Sequence, residues 1–165
     1  MQKFSSYFLL SLFFLFLTAF NTFPEADGHV YKCMIQMTNY PGEGAYVAVS
    51  VLDKDHNYLK TLHVMGDDPE WQEDLTSWFG FFSKNEHPDI DAISGETRAG
   101  GERIMFMVEI EDELIDAGNF LRLESAVENQ KYVEDEILVP LTSGSLSDKI
   151  EGSEYIRYVR FIPAK

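Results

Sequence analysis

The chain has 165 residues, of which 28 are acidic and 13 are basic, so its formal net charge is −15 at pH 7. A surface of this sign repels nucleic acid and anionic lipid headgroups, which excludes DNA binding. High solubility, a cationic partner or a salty environment would each account for the acidic excess. The single cysteine, Cys33, excludes an internal disulfide.

The first 24 residues predict export. Lys3 is followed by an uncharged apolar run from Tyr7 to Phe20, which is shorter than the roughly 20 residues of a membrane-spanning helix. A basic start and a short apolar core are typical of a secretory signal peptide; an uncleaved anchor is the alternative, because no clean Ala-x-Ala site follows. We predict a signal peptide at residues 1–24, one domain at residues 25–165 and a periplasmic or secreted protein that does not span the membrane after processing.

The first segments after the signal alternate apolar and polar residues, as half-buried strands do. In "HVYKCMIQMT" this alternation places four residues on one face: Tyr31, Cys33, Ile35 and Met37. Cys33 is therefore expected to be a small buried hydrophobe. The segments "AYVAVSVL" and "YLKTLHVM" flank the short loop "DKDHN" and predict a hairpin.

The segment "GDDPEWQEDLTSWFGFF" predicts one amphipathic helix. Asp68 is a candidate N-cap, and Pro69 suits the first helical position. The residues at helical spacing are Trp71, Leu75, Trp78, Phe79 and Phe82. Such a stripe is typical of a packed core, and in an exported protein it can also form a surface for a partner.

Strand patterns resume in "ERIMFMVEI", "NFLRLESAVEN", "KYVEDEILVPL" and "EYIRYVRFI". Strands at this spacing, separated by turn residues, predict an all-β fold. We expect an immunoglobulin-like β-sandwich of about seven strands with one amphipathic helix inserted.

The order of these segments resembles a family of predicted periplasmic proteins of unknown function. The resemblance covers Ala45 to about Leu141 and rests on "YVAVSVLDKDHNYLKTLHVMG", the helix with paired tryptophans, "DAISGETRAGGERI" and "IDAGNFLRLESAVENQ". The second half is similar to the immunoglobulin-like module that caps flagellar hook assembly proteins. The "W-D-G-x-D-x-x-G" hairpin of that module is altered here: "VEIEDELIDAG" lacks the tryptophan and the first glycine and retains Glu111, Asp112 and Gly118.

The resemblance implies a functional context. Relatives are often encoded near membrane redox proteins and flavin-attaching enzymes, which implies a role in electron transfer outside the cytoplasm. The expected partner is therefore a protein at or near the membrane, with a redox protein as the candidate.

The stretch "DAISGETR" is similar to the box at which some exported redox proteins carry FMN on a threonine. The matching residues are Asp91, Ser94, Gly95 and Thr97. Glu96 replaces the usual alanine and adds negative charge where a phosphate would arrive, and Arg98 could offset that charge. The favoured interpretation is a turn at Gly95 that leads into the next strand, with no cofactor. FMN attached to Thr97 is the alternative.

Catalytic and metal motifs are weak in this chain. "DKDHN" lacks the glycine and the closing glutamate of a calcium loop, the histidines show no zinc-binding pair, and no nucleophile elbow is present. An enzyme with a hidden carboxylate site stays open but is not favoured. We predict an exported, non-catalytic binding or accessory protein of a flavin-linked redox system, with Trp71, Trp78 and Arg98 at its partner surface. The alternative is an electron carrier with FMN on Thr97.

Overall fold

The computed structural model describes residues 28–66, 68–84 and 94–164, which form two packed β-sheets. The two-sheet, all-β sandwich predicted from the sequence is confirmed. The predicted signal peptide at residues 1–24 and the box residue Asp91 lie outside the described residues.

The described residues form nine strands, three short helices and a 3-10 turn at Asp112–Leu114. The strands are β1 Gly28–Met37, β2 Ala45–Leu52, β3 Tyr58–Met65, β4 Ser94–Gly95, β5 Arg103–Glu111, β6 Phe120–Val127, β7 Val133–Pro140, β8 Lys149–Glu151 and β9 Ile156–Pro163. The helices are α1 Pro69–Gln72, α2 Thr76–Phe82 and α3 Ser143–Ser147.

One sheet has four strands in the order β5-β1-β9-β8, and the other has five in the order β4-β3-β2-β6-β7. Neighbouring strands are antiparallel except β3 and β4, which are parallel. The predicted hairpin is present as β2 and β3, and its loop is closed by hydrogen bonds from the backbone N–H groups of Asp55 and Asn57 to the Asp53 carboxylate, each 2.8 Å long.

The inner faces of the two sheets form the main core. The four alternating residues of β1 predicted to be buried are buried: Tyr31, Cys33, Ile35 and Met37. Burial raises the pKa of the Cys33 thiol, so the thiol stays protonated and packs as a hydrophobe.

Strands β2 and β6 are buried on both faces. All eight residues of β2 are buried, and so are Leu121–Val127 in β6. The alternation of residues in β2 and β6 predicted that only one face of each strand packs in the core between the sheets. The second face is covered because α1 and α2 pack on the outer side of the five-stranded sheet, in a cluster that contains Tyr46, Ala48, Leu75, Trp78 and Ala126.

Two short helices stand where the sequence predicted one. Asp68 caps α1 as expected, since its carboxylate accepts a hydrogen bond of 3.0 Å from the Glu70 N–H. Helix α1 ends at Gln72, and α2 begins at Thr76 after Leu75, whose ψ of 68° is not helical. Leu75 is fully buried, so its packing against the sheet takes precedence over helical continuity.

The prediction of a turn at Gly95 is wrong. Ser94 and Gly95 form β4 and pair with the edge of β3, and the Gly66 N–H donates to the Gly95 carbonyl at 2.5 Å. This pairing satisfies backbone groups that an edge strand would leave without partners. The chain turns later, at Gly101, whose φ of 83° favours glycine.

The Glu136 carboxylate joins the two sheets. Its side chain starts on β7, and Oε1 accepts hydrogen bonds of 2.7–3.1 Å from the backbone N–H groups of Ser153, Glu154 and Ile156, which lead into β9. Oε2 accepts a hydrogen bond of 2.9 Å from the Ser125 hydroxyl. Glu136 is only 2 % exposed, so few water molecules could replace it as an acceptor.

We expect Glu136→Ala to lower the free energy of unfolding by about 3 kcal/mol, because it leaves buried N–H groups without an acceptor. Urea denaturation of the purified protein measures this change. The neighbouring exposed carboxylate gives a matched control, and Asp135→Asn should stay within about 0.5 kcal/mol of the wild type. Equal stability of the two variants would contradict the assigned role of Glu136.

Candidate functional site

A pocket of about 270 Å³ opens on the outer side of the five-stranded sheet, beside α1 and α2. Its lining comes from the two helices and from the end of β6 with the loop that follows. The lining residues are Trp71, Asp74, Thr76, Ala126, Asn129, Gln130 and Tyr132. The pocket therefore combines two aromatic rings with a carboxylate, two amides and a hydroxyl.

A buried hydrogen-bond network fixes the floor of this pocket. The Tyr132 hydroxyl donates to Glu124 Oε2 at 2.7 Å and accepts from the Ser77 N–H at 3.1 Å. The other oxygen of Glu124, Oε1, accepts a 2.7 Å hydrogen bond from the Trp78 N–H. One carboxylate thus holds both the first turn of α2 and a pocket-lining ring.

Arg122 is the cationic neighbour of Glu124. Its Nη2 donates to the Ser77 hydroxyl at 2.9 Å and lies 3.6 Å from Glu124 Oε2. Its Nη1 lies 3.4 Å from Glu134 at the surface. The two buried charges lie on the outer face of β6, beneath α2, where their mutual attraction offsets part of the cost of removing them from water.

The environment shifts the ionisation of this network. Burial raises the pKa of the Glu124 carboxyl, although Tyr132 and Arg122 oppose the shift. Burial and the neighbouring Glu124 raise the pKa of Tyr132. The hydroxyl of Tyr132 therefore remains protonated and acts as a hydrogen-bond donor, which suits positioning better than nucleophilic chemistry.

Acidic side chains surround Glu128 at the edge of the pocket. Desolvation and the negative charges of Glu43, Asp68, Asp74 and Glu70 raise the pKa of Glu128. We call these five residues the acidic rim. None of them takes part in the ion pairs found among the described residues. The rim therefore presents a concentrated negative potential without internal cations.

The structure separates the three residues predicted to share a partner surface. Trp78 is fully buried, and its Nε1–H donates to the Thr61 hydroxyl at 2.9 Å, so it supports the surface from below. Trp71 is half-buried and lines the pocket. Arg98 pairs with Glu96 at 3.2 Å and bridges to Ala45 through its backbone, and it is not among the residues that line the pocket.

The residues of the predicted FMN box lie partly in a strand and partly in the segment after it. Ser94 and Gly95 are part of β4, while Thr97 follows it and is half-buried against Gly44. A hypothetical Cβ on Gly44 would overlap the Thr97 side chain, so the two residues are in close contact. FMN attachment would require the Thr97 hydroxyl to turn outward from this contact.

His63 lies next to Gly95 at the edge of the sandwich. Its ring stacks on Phe106 of the opposite sheet, with centroids 3.6 Å apart, and its Nε2 is buried with no hydrogen-bond partner among the described residues. Burial lowers the pKa of His63 to about 4. The neutral imidazole is therefore the form that the fold accommodates.

A second pocket of about 210 Å³ lies at the loop expected to resemble the hook-capping hairpin. It is lined by His29, Tyr31, Asp112, Ile115, Asp116 and Ser143. Its carboxylates already have partners, because Asp112 pairs with His29 at 2.5 Å and Asp116 accepts from the Ser143 hydroxyl at 2.6 Å. It is the weaker candidate site for that reason.

Within residues 28–66, 68–84 and 94–164, no group of three or more His, Cys, Asp or Glu side chains is arranged to hold a metal ion. In the same part of the chain, no helix is long and apolar enough to cross a membrane.

The sequence prediction missed Glu124, Arg122 and Tyr132. Alternation along "NFLRLESAVEN" places Leu121, Leu123, Ser125 and Val127 on one face, and it gives no sign that the other face, with Arg122 and Glu124, is covered. A usable signal was present, because the two opposite charges lie two residues apart in a strand whose other residues, apart from Ser125, are apolar. The covering of that face by α2 is a tertiary contact that alternation does not report.

The pKa of His63 predicts acid sensitivity. Because the folded pKa lies below the ordinary value of 6.5, the neutral ring contributes stability above pH 6.5, and this stability is lost as the pH falls towards 4. We expect His63→Phe, which keeps an aromatic ring opposite Phe106, to show a smaller loss of unfolding free energy between pH 6.5 and 4 than the wild type. Urea denaturation at several pH values measures this slope, and His56→Asn, which removes an exposed imidazole, should retain the wild-type slope.

Comparison with known proteins identifies the family. Residues 29–158 match the family described as "Predicted periplasmic protein (DUF2271)". No curated protein and no solved structure matches the chain. The match confirms the periplasmic location and the resemblance to an uncharacterised periplasmic family that the sequence indicated. The chain belongs to the DUF2271 family of predicted periplasmic proteins.

Proposed function

We propose that the protein is a non-catalytic binding protein that takes a cationic group, such as a lysine or arginine side chain of a partner protein, in the pocket beside α1 and α2. One observation carries this proposal: the half-exposed Trp71 and Tyr132 line a pocket next to an acidic rim that forms no ion pair within the described part of the chain. An arginine or lysine head over an aromatic face gains a cation–π contact. The rim adds long-range attraction for the same charge.

The arrangement of the polar groups favours binding over catalysis. Tyr132 is fixed by hydrogen bonds to Glu124 and Ser77, so its hydroxyl is committed to the network. Glu124 is fully buried beneath α2, which keeps its carboxylate away from a ligand in the pocket. A preorganised floor of this kind reduces the entropy lost on binding and supports a recognition role.

The same proposal places the protein in a flavin-linked redox system at the periplasmic side of the membrane. Its support is the resemblance to proteins encoded near redox proteins and flavin-attaching enzymes, together with the periplasmic family. The likeness to the immunoglobulin-like hook-capping module is part of this hypothesis. A redox protein with a basic surface would suit the acidic rim.

We expect a short peptide of alternating Arg and Gly to bind the purified protein, more weakly at high salt. Isothermal titration calorimetry measures the affinity. Trp71→Ala and Asp74→Asn should each weaken binding about fivefold, since each removes one cation contact. Asp135→Asn is the matched control, because it removes a carboxylate on β7 that does not line the pocket.

Two outcomes would contradict the pocket as the cation site: equal affinity of all three variants, or equal binding of a peptide of alternating Glu and Gly. Trp78→Ala serves as the structural counterpart of Trp71→Ala. Because Trp78 is fully buried, its removal should lower the free energy of unfolding by about 3–5 kcal/mol. A loss of that size for Trp71→Ala would assign Trp71 to the core instead.

A second candidate function is an electron carrier with FMN on Thr97. The ion pair of Arg98 with Glu96 favours it, because this pair offsets the charge that Glu96 adds beside an incoming phosphate. The close contact of Thr97 with Gly44 opposes it. If FMN were joined to Thr97, the chain itself would contribute the threonine hydroxyl and the neighbouring Arg98.

The intact mass of the secreted protein distinguishes the two functions. The protein is produced together with a flavin-attaching transferase, beside a Thr97→Val variant. We expect an unmodified mass for both, because the Thr97 side chain is half-buried. A mass increase of one FMN less one water, the gain for a phosphoester on the threonine hydroxyl, that is absent from Thr97→Val would establish the electron carrier. The same spectrum locates the signal-peptide cut.

A further inference from the structure

The outer face of the four-stranded sheet carries a cluster of exposed apolar side chains. Val30, Met105, Met107 and Ile162 are exposed by 41 %, 60 %, 51 % and 44 %. The strand register places them together, since Met107 and Ile162 flank Lys32 on either side, and Met105 pairs with the half-buried Met34. We call this surface the methionine face.

Cations stand among these apolar side chains. Lys32, Arg103, Lys149 and Arg160 project from the same face, as their exposure and register show. Lys149 pairs with Glu151 at 2.8 Å. None of the ion pairs among the described residues involves Lys32, Arg103 or Arg160.

The lack of carboxylate partners for these three cations is informative in a chain with 28 acidic residues. Acidic side chains outnumber basic ones about twofold, yet within residues 28–66, 68–84 and 94–164 three cations of one face have no carboxylate within the 4.0 Å that defines an ion pair. By strand alternation, the acids on this side are Glu109 and Glu111, on β5, and Glu151; Glu111 is paired with Lys60. The methionine face is therefore positive and apolar, while the acidic rim on the other sheet is negative.

We propose that the methionine face is a docking surface for a protein that presents carboxylates between apolar side chains. Methionine side chains adapt their shape to a partner, and a contiguous exposed apolar patch on a folded protein marks an interaction site. Lys32, Arg103 and Arg160 form no ion pair among the described residues, although Arg103 donates hydrogen bonds to Gln36 and Tyr158. Their charges complement an acidic surface and fix the position of the partner on the face. This surface is distinct from the pocket and does not depend on its ligand.

Two other occupants fit the charges less well. A bilayer with anionic headgroups would extend well beyond the face and meet the field of a protein with a net charge of −15. A second copy packed through the same face would bring its cations close to those of the first copy, because a two-fold interface apposes the same patch on both subunits. A local acidic patch on a different protein avoids both conflicts.

The methionine methyl groups provide a direct test. In a sample labelled at these methyls, Met34, Met105 and Met107 report on the face, while the fully buried Met37 and Met65 are internal controls. The probe is a short peptide in which Glu alternates with Leu, added to the secreted protein. We expect NMR shifts at the three face methyls and none at the two core methyls. A peptide of alternating Lys and Leu should leave the NMR signals of all five methionine methyl groups unshifted.

A charge-reversal pair tests the electrostatic part. Lys32→Glu with Arg160→Glu should weaken binding of the acidic peptide about tenfold. The matched control is Lys54→Glu with Lys84→Glu, which makes the same change in net charge at exposed positions outside the face and should bind as the wild type does. Unchanged unfolding free energies would show that both pairs fold.

Several results would overturn the proposal. These are an absence of shifts at the face methyls, equal shifts with the basic peptide, and equal weakening by both charge-reversal pairs. Shifts caused by phosphatidylglycerol vesicles but not by the peptide would assign the face to a membrane. Shifts on concentrating the protein alone would assign it to a second copy of the chain. None of these outcomes bears on the pocket, whose test uses a different peptide and different variants.

Discussion

The Glu124 carboxylate organises the outer side of the five-stranded sheet. It accepts one hydrogen bond from the first turn of α2 and another from Tyr132, so a single buried group positions the helix and the pocket floor together. Arg122 lies beside it and bonds to Ser77 of the same turn. Removing either charge would take away the nearest opposite charge of the other, which is costly for a buried ion. The pair therefore makes the placement of α2 specific.

The position of α2 then determines which aromatic residues reach the surface. Because Leu75 and Trp78 both pack against the sheet, the helical segment breaks between α1 and α2, and Trp71 is left half-exposed at the pocket. A rigid floor beneath a charged rim is an arrangement suited to recognition, since the groups that contact a ligand are held before it arrives.

The net charge of −15 hides a strong asymmetry between the two sheets. Carboxylates gather around Glu128 beside the pocket, whereas Lys32, Arg103 and Arg160 share the opposite outer face with exposed methionines. A sandwich with faces of opposite character can hold a basic partner on one side and an acidic partner on the other. This geometry fits an accessory protein, and it explains why composition alone indicates only one class of partner.

Local patterns in the sequence determined the strand character of β1, the hairpin of β2 and β3 and the Asp68 cap, because each depends on neighbouring residues. The order of the segments along the chain indicated the periplasmic family. Tertiary contacts decided the rest. Alternation cannot show that a strand is covered on both faces, so it gave no sign that Glu124 and Arg122 are buried. Gly95 pairs with the edge of β3, a partner distant in sequence, and so it does not form the expected turn. The methionine face arises only when β1, β5 and β9 lie side by side, since charges and apolar groups from separate segments then meet on one surface.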